Sequence, residues 1–139
     1  MDPAHVLSDE SRILAGILLL SLVTVETGGL YLLTIVRGAA EVTPFQEKFA
    51  RAGHAHAGIL LVLALICQVL ADSTAQTGAL DWLSRSGVAV SAVLMPGGFF
   101  FSSMGAGRTR PNRLIVLVLG GGALRAVSLA SLGIGLLTA

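Results

Sequence analysis

An all-α integral membrane protein, a four-helix bundle in up-down-up-down order, is the fold class the sequence predicts, and three observations predict it. Hydrophobic residues make up 54% of the 139-residue chain and charged ones 12%, with a mean hydropathy of +0.84, well beyond a soluble domain. The apolar residues fall into four runs, each near the roughly 20 residues a helix needs to cross a bilayer. Only short polar stretches separate the runs. Because hydrocarbon offers no partner to a bare backbone amide, each run should close its own hydrogen bonds as a helix, giving one membrane domain over 1–139.

The first run, ILAGILLLSLVTVETGGLYLLTIV, covers 13–36 between Arg12 and Arg37. The preceding MDPAHVLSDES is acidic where a cleavable signal peptide is basic, so no such leader is expected, and His5 reads as a solvated tail residue. The second helix is expected over 44–71. Thr43 offers an N-cap, Pro44 suits the first helical position, and Gln46 stands three residues after the cap to complete a capping box. Glu47 and Arg51, four apart, solvate that end as a pair.

The third run, 86–107, is interrupted by Pro96, Gly97 and Gly98, which predict a kink near mid-membrane and freed carbonyls. Phe99, Phe100 and Phe101 then form an aromatic wall suited to an apolar ligand or to lipid. The fourth, 112–138, carries one internal charge, Arg125, and a Gly120–Gly122 triplet that reads as a close-packing surface. Cys67, the single cysteine, reads as a small core residue and excludes a disulfide within the chain. Tyr31 and Trp82 read as packing or interface anchors.

Charge sets orientation and narrows the partners. Arg37, Lys48 and Arg51 flank the first connection and Arg108, Arg110 and Arg113 the third, whereas Arg12 and Arg85 lie on the opposite side. The positive-inside rule places both basic loops in the cytoplasm and both termini outside, in a multi-pass protein of the cell membrane, the inner membrane of a bacterium. A net charge of +1 gives no reason to expect nucleic acid, so the expected partner is the bilayer itself.

Against this background a layer of ionisable side chains stands out. His54 and His56, in RAGHAHAG, lie about 15 to 18 Å along helix 2 from its start at about 1.5 Å per residue. Glu26 lies ten residues before Val36, about 15 Å from the same end, and Arg125 is at similar depth in helix 4. An ionised, unpaired carboxylate there is costly, so Glu26 must be protonated, paired or bound to a cation. One reading is structural: a Glu26–Arg125 ion pair, with the histidines bonded to carbonyls. The other is functional, since intramembrane ionisable groups mark working sites.

In the functional reading His54, His56 and Glu26 hold a metal, and Glu26 and Arg125 take catalytic roles as general base and as electrostatic partner. Imidazole with carboxylate suits a transition metal, iron or copper rather than zinc if the chemistry is redox. Two residues two apart on a helix diverge by about 200°, so both rings reach one ion only if the helix is distorted near Gly53. One histidine should therefore face Glu26 and the other a second helix or subunit, which predicts a homo-oligomer through helix 2, where Gly53, Ala57 and Gly58 allow close approach. Haem fits only as a five-coordinate or inter-subunit group, because no other span carries a histidine.

A four-span chain with a helix 2 histidine among small residues, here GHAHAG, resembles small bacterial integral membrane proteins. More distantly it resembles the hydroxylaminobenzene mutase family and, in its histidines among apolar helices, subunit I of haem-copper oxidases. The likeness covers the four-span plan and that segment; PGGFFF and LRAVS match no signature, so no catalytic residue is carried over. The expected function is a membrane-embedded metal-binding protein performing redox or rearrangement chemistry on a small apolar molecule. Two alternatives stand beside it, a transport or proton-relay module and a non-catalytic accessory subunit.

Overall fold

The computed structural model describes residues 6–139; His5 lies outside them. Four long helices follow one another, α1 (Asp9–Val36), α2 (Pro44–Ala71), α3 (Gly78–Ser103) and α4 (Val116–Leu137), with one 3-10 turn, Arg113–Ile115, leading into α4. All four are long and apolar enough to cross a bilayer, and the protein is a multi-pass membrane protein. Short connections make neighbours antiparallel, so one end of the bundle carries the two basic loops and the other carries the termini. These are called here the basic end and the terminal end.

The helix starts follow from capping. Ser8 caps α1 by accepting the Ser11 amide at 3.2 Å, with Asp9 and Glu10 in the first turn where the helix dipole favours acids. Thr43 caps α2: its hydroxyl accepts the Gln46 amide at 3.2 Å, and Gln46 Oε1 accepts the Thr43 amide at 3.1 Å. Helix α3 starts at Gly78 and stops at Ser103, whereas the apolar run spans 86–107. Its start is early because Asp81 and Arg85, four apart, pair along the helix and let it continue through a charged turn. It stops early because Gly105 and Gly107 take left-handed φ values of +117° and +64°, which turn the chain back. Pro96 is buried within α3 and does not end it.

Helices α2 and α3 form the centre; α1 lies along α2, α4 along α3, and α1 and α4 do not touch. Leu60, Ala64, Cys67 and Ala71 of α2 meet Val88, Ala92 and Met95 of α3, with Leu18 and Leu132 closing the core from the outer helices. Lipid tails are as apolar as leucine, so these helices associate through close packing and interhelical hydrogen bonds. The α3–α4 seam shows both. A Cβ on Gly87 would stand 2.7 Å from Ser128 Oγ, and one on Gly121 2.7 Å from Met95 Cγ. Across the same seam Ser91 donates to the Gly121 carbonyl at 2.8 Å and Ser128 to the Leu83 carbonyl at 2.7 Å. Helix α1 is the least covered: 6% of its apolar window is buried.

Candidate functional site

The polar layer is built on α2, whose cap fixes its register. From that register His54 and His56 leave the helix in different directions, and both directions are filled within the chain. His54 turns to α1, into a slot floored by glycine: a Cβ at position 28 would stand 3.1 Å from its Nδ1, and one at 29 would stand 3.7 Å from its Nε2. His56 turns to α3, its ring centroid 5.0 Å from that of Phe99. Its Nδ1 lies 2.8 Å from the Ala52 carbonyl. A carbonyl only accepts, so Nδ1 carries a proton and Nε2 is the nitrogen left outside this contact. The divergence of the two rings therefore requires no second subunit.

Glu26 and Arg125 are not brought to the histidines. Glu26 is exposed on the outer surface of α1 and Arg125 is half-buried on α4, helices that do not touch. Neither takes part in the four ion pairs of the described residues. No three His, Cys, Asp or Glu side chains among the described residues come together in a way that could hold a metal ion. Within one chain the expected His54, His56 and Glu26 set is thus spread over separate faces. Glu47 and Arg51 do pair, at 2.6 Å on the surface of the basic end.

Above the histidines the basic end opens into a cavity of about 880 Å³. Its walls are largely apolar, with Tyr31, Val42, Phe100, Phe101 and Met104, and its rim carries Glu41, Thr43 and Gln46. The capping box builds that rim. Gln46 Nε2 donates to the carbonyls of Ser103 and Gly105, at 3.0 and 2.8 Å, and Thr43 Oγ1 donates to the Arg108 carbonyl, tying the α3–α4 connection to the start of α2. The deep wall includes Ala50, four residues before His54, and Tyr31, three after Gly28. Each is about one helical turn, roughly 4.5 to 6 Å, from the slot that holds the imidazole. Phe100, also in the wall, covers Gly53, whose added Cβ would stand 3.0 Å from the ring.

At the terminal end lies a cluster that the sequence reading did not single out. Arg85 Nη1 is 2.5 Å from Asp72 Oδ1, its Nε is 2.8 Å from Asp81 Oδ1, and Arg85 and Asp72 side chains are 10% and 8% exposed. Asp72 also accepts the Ser8 amide at 2.9 Å and the Ser8 hydroxyl at 2.8 Å. Ser11 Oγ accepts from Arg85 Nη1 at 2.5 Å and lies 3.1 Å from both the Gln68 carbonyl and Asp72 Oδ1. Burial opposes the charge on Asp72, but the hydrogen bonds from Ser8, Arg85 and Ser11 outweigh it and hold its carboxyl below the ordinary value. Gln68 is fully buried and donates to the Arg85 carbonyl at 2.7 Å, while its Oε1 has no partner among the described residues. The cluster clamps α1, α2 and α3 together. The Asp81–Arg85 spacing was its one visible signal, because the partners from Ser8, Ser11 and Asp72 lie far off in sequence.

What fold and site define together is a four-helix multi-pass membrane protein with a cavity at its basic end, histidines at mid-depth and a charged clamp at the other end. Comparison with protein-family models, with curated proteins and with solved structures finds no match.

Proposed function

We propose that this protein binds a small, largely apolar molecule in the cavity of the basic end and uses His54, one helical turn beyond its deep wall, as the proton donor and acceptor, an acid–base rearrangement chemistry carried out within the membrane. The observation that carries the reading is the cavity of about 880 Å³ reaching, through Tyr31, Ala50 and Phe100, to one turn from His54. Its size and mostly apolar walls suit a small-molecule site, with a few polar groups to orient the ligand. His54 makes no hydrogen bond to another described residue, so neither ring nitrogen is committed to a protein partner. The basic end faces the cytoplasm in the cell membrane, so ligand would enter from that side.

The experiment is residue-resolved labelling. In nanodiscs, diethyl pyrocarbonate should modify His54, and Ala50→Trp, which fills the deep wall, should slow that modification at least tenfold while leaving the rim unchanged. A His54 that never reacts in the wild type would refute the passage.

A second reading, a transition-metal site, draws on the His56 tautomer. Its Nδ1–H bond to the Ala52 carbonyl is the orientation metal-bound imidazoles use, leaving Nε2 to bind. Further ligands would have to come from beyond the described residues, so elemental analysis of the purified protein decides it. Stoichiometric iron or copper lost on His56→Ala supports the site, and its absence from wild type rejects it.

A further inference from the structure

Glu26 and Arg125 are opposite charges within the apolar spans, each without an ion-pair partner among the described residues. They stand on the two helices that flank the α2–α3 centre and never meet. Measured from the basic end, Glu26 is ten residues before Val36 and Arg125 nine residues after Val116. At about 1.5 Å per residue the depths are about 15 and 14 Å. Copies of a membrane protein insert in one orientation, so they are related by rotation about the membrane normal, which preserves depth. A neighbouring copy therefore presents its Arg125 at the level of Glu26 without tilt or shift.

We infer that α1 of one copy docks on α4 of the next, and that a Glu26–Arg125 ion pair between copies fixes the contact. The surface on α1 is available, since Glu26 shares its helix face with exposed Leu19, Val23 and Leu30. Thr24 and Thr27 beside it satisfy their hydroxyls on their own helix, donating to the Ser21 and Thr24 carbonyls at 2.6 Å each, so they leave the carboxyl unserved. On α4, Arg125 falls at the edge of the row of Gly121, Ser128 and Leu132 that faces α3, yet it is only half-buried, so its long side chain can lie along α4 and bring its guanidinium to the open surface. The contact joins α1 of one copy to α4 of another, and a rotation about the membrane normal that closes makes it a symmetric assembly. The assignment is independent of the cavity and of His54.

Two measurements test it. Two separately tagged chains, both Cys67→Ser, one carrying Thr27→Cys and the other Ala126→Cys, are co-expressed and oxidised in membranes. A disulfide-linked heterodimer, at least tenfold above that of a Thr27→Cys and Thr138→Cys pair, is expected. In mild detergent, light scattering should show an oligomer in wild type, loss of most of it in Glu26→Arg, and its return in Glu26→Arg combined with Arg125→Glu. The cross-link reads native-charge chains, so misfolding of a charge variant does not blur the result. Monomeric wild type without cross-link would overturn the inference and assign both surfaces to lipid. An oligomer indifferent to charge reversal would overturn the ion pair.

Discussion

The α3–α4 seam makes a sharp prediction within three consecutive glycines. A Cβ on Gly121 would stand 2.7 Å from Met95 Cγ, 3.1 Å from Leu94 Cβ and 3.2 Å from the Met95 amide nitrogen, whereas one on Gly120 or Gly122 would meet nothing within 4 Å. The Met95 side chain can swing aside, but Leu94 Cβ and the Met95 amide are fixed to α3. Relief therefore requires the helices to part, which lengthens the 2.8 Å bond from Ser91 to the Gly121 carbonyl. Overpacking of this kind costs about 1 to 3 kcal/mol, while Gly→Ala in a helix gains up to about 1 kcal/mol. Gly121→Ala should thus be about 1 to 3 kcal/mol less stable than Gly120→Ala or Gly122→Ala, a factor of roughly 5 to 150 in the folding equilibrium. Reversible unfolding in mixed micelles, followed by the fluorescence of Trp82, the only tryptophan, measures the difference. Equal stability of the three variants would refute the seam.

The terminal-end clamp and the topology give the remaining predictions. Arg85→Ala leaves Asp72 buried without its cation, and should cost on the order of 3 kcal/mol in the same unfolding assay; a loss below about 0.5 kcal/mol would reduce the cluster to a surface pair. Because the Asp72 carboxyl is held below its ordinary value of 3.8, its contribution is fully present above that value. It is lost as pH falls through the lower folded value, so stability should stay level from neutral pH to about 5 and fall in stronger acid. Asp72→Asn should be less stable at neutral pH and flatter in acid, and an unchanged acid profile would remove Asp72 as the cause. Thr109→Cys, in the exposed basic loop, should react with an impermeant maleimide only from the cytoplasmic side, and labelling from outside would invert the orientation.

The four helices were legible because a bilayer leaves the backbone one choice, and the start of α2 was legible because Thr43, Pro44 and Gln46 each answer to a local rule. The end of α3 was less so, since Ser102, Ser103 and Met104 continue the apolar run while the turn is set by Gly105 and Gly107. The depths of His54, His56, Glu26 and Arg125 came from counting residues, and the divergence of the two histidines from helix geometry. Which neighbour each one meets did not. Placing Glu26 beside a histidine assumed that α1 turns its carboxyl inward, whereas Gly28 and Gly29 face α2 and Glu26 stands on another side of that helix. The clamp stayed hidden for a related reason: Ser8, Asp72 and Arg85 are 64 and 77 positions apart, and only packing joins them.

The two ends of the bundle are held by different forces, and this bears on where the protein can open. At the terminal end, charge-assisted bonds among Asp72, Arg85 and Ser11 join three helices in a nearly dry site, where they are strong and costly to break. At the basic end, Gln46 and Thr43 hold the α3–α4 connection through neutral hydrogen bonds to carbonyls, at an exposed rim, each contributing about 0.5 to 1.5 kcal/mol net. Helix α1 makes no contact with α4 and only slight contact with α3, so near the cavity its inner side meets chiefly α2. A motion that widens the cavity therefore pivots on the clamp and spreads the basic end. His54, seated between α1 and α2 part-way from that end, is the ionisable side chain such a motion would uncover, since the Gly28–Gly29 slot is what shields it. In the proposed function, ligand entry and proton exchange at His54 would then fall on the side of the molecule where the least constrained helix lies.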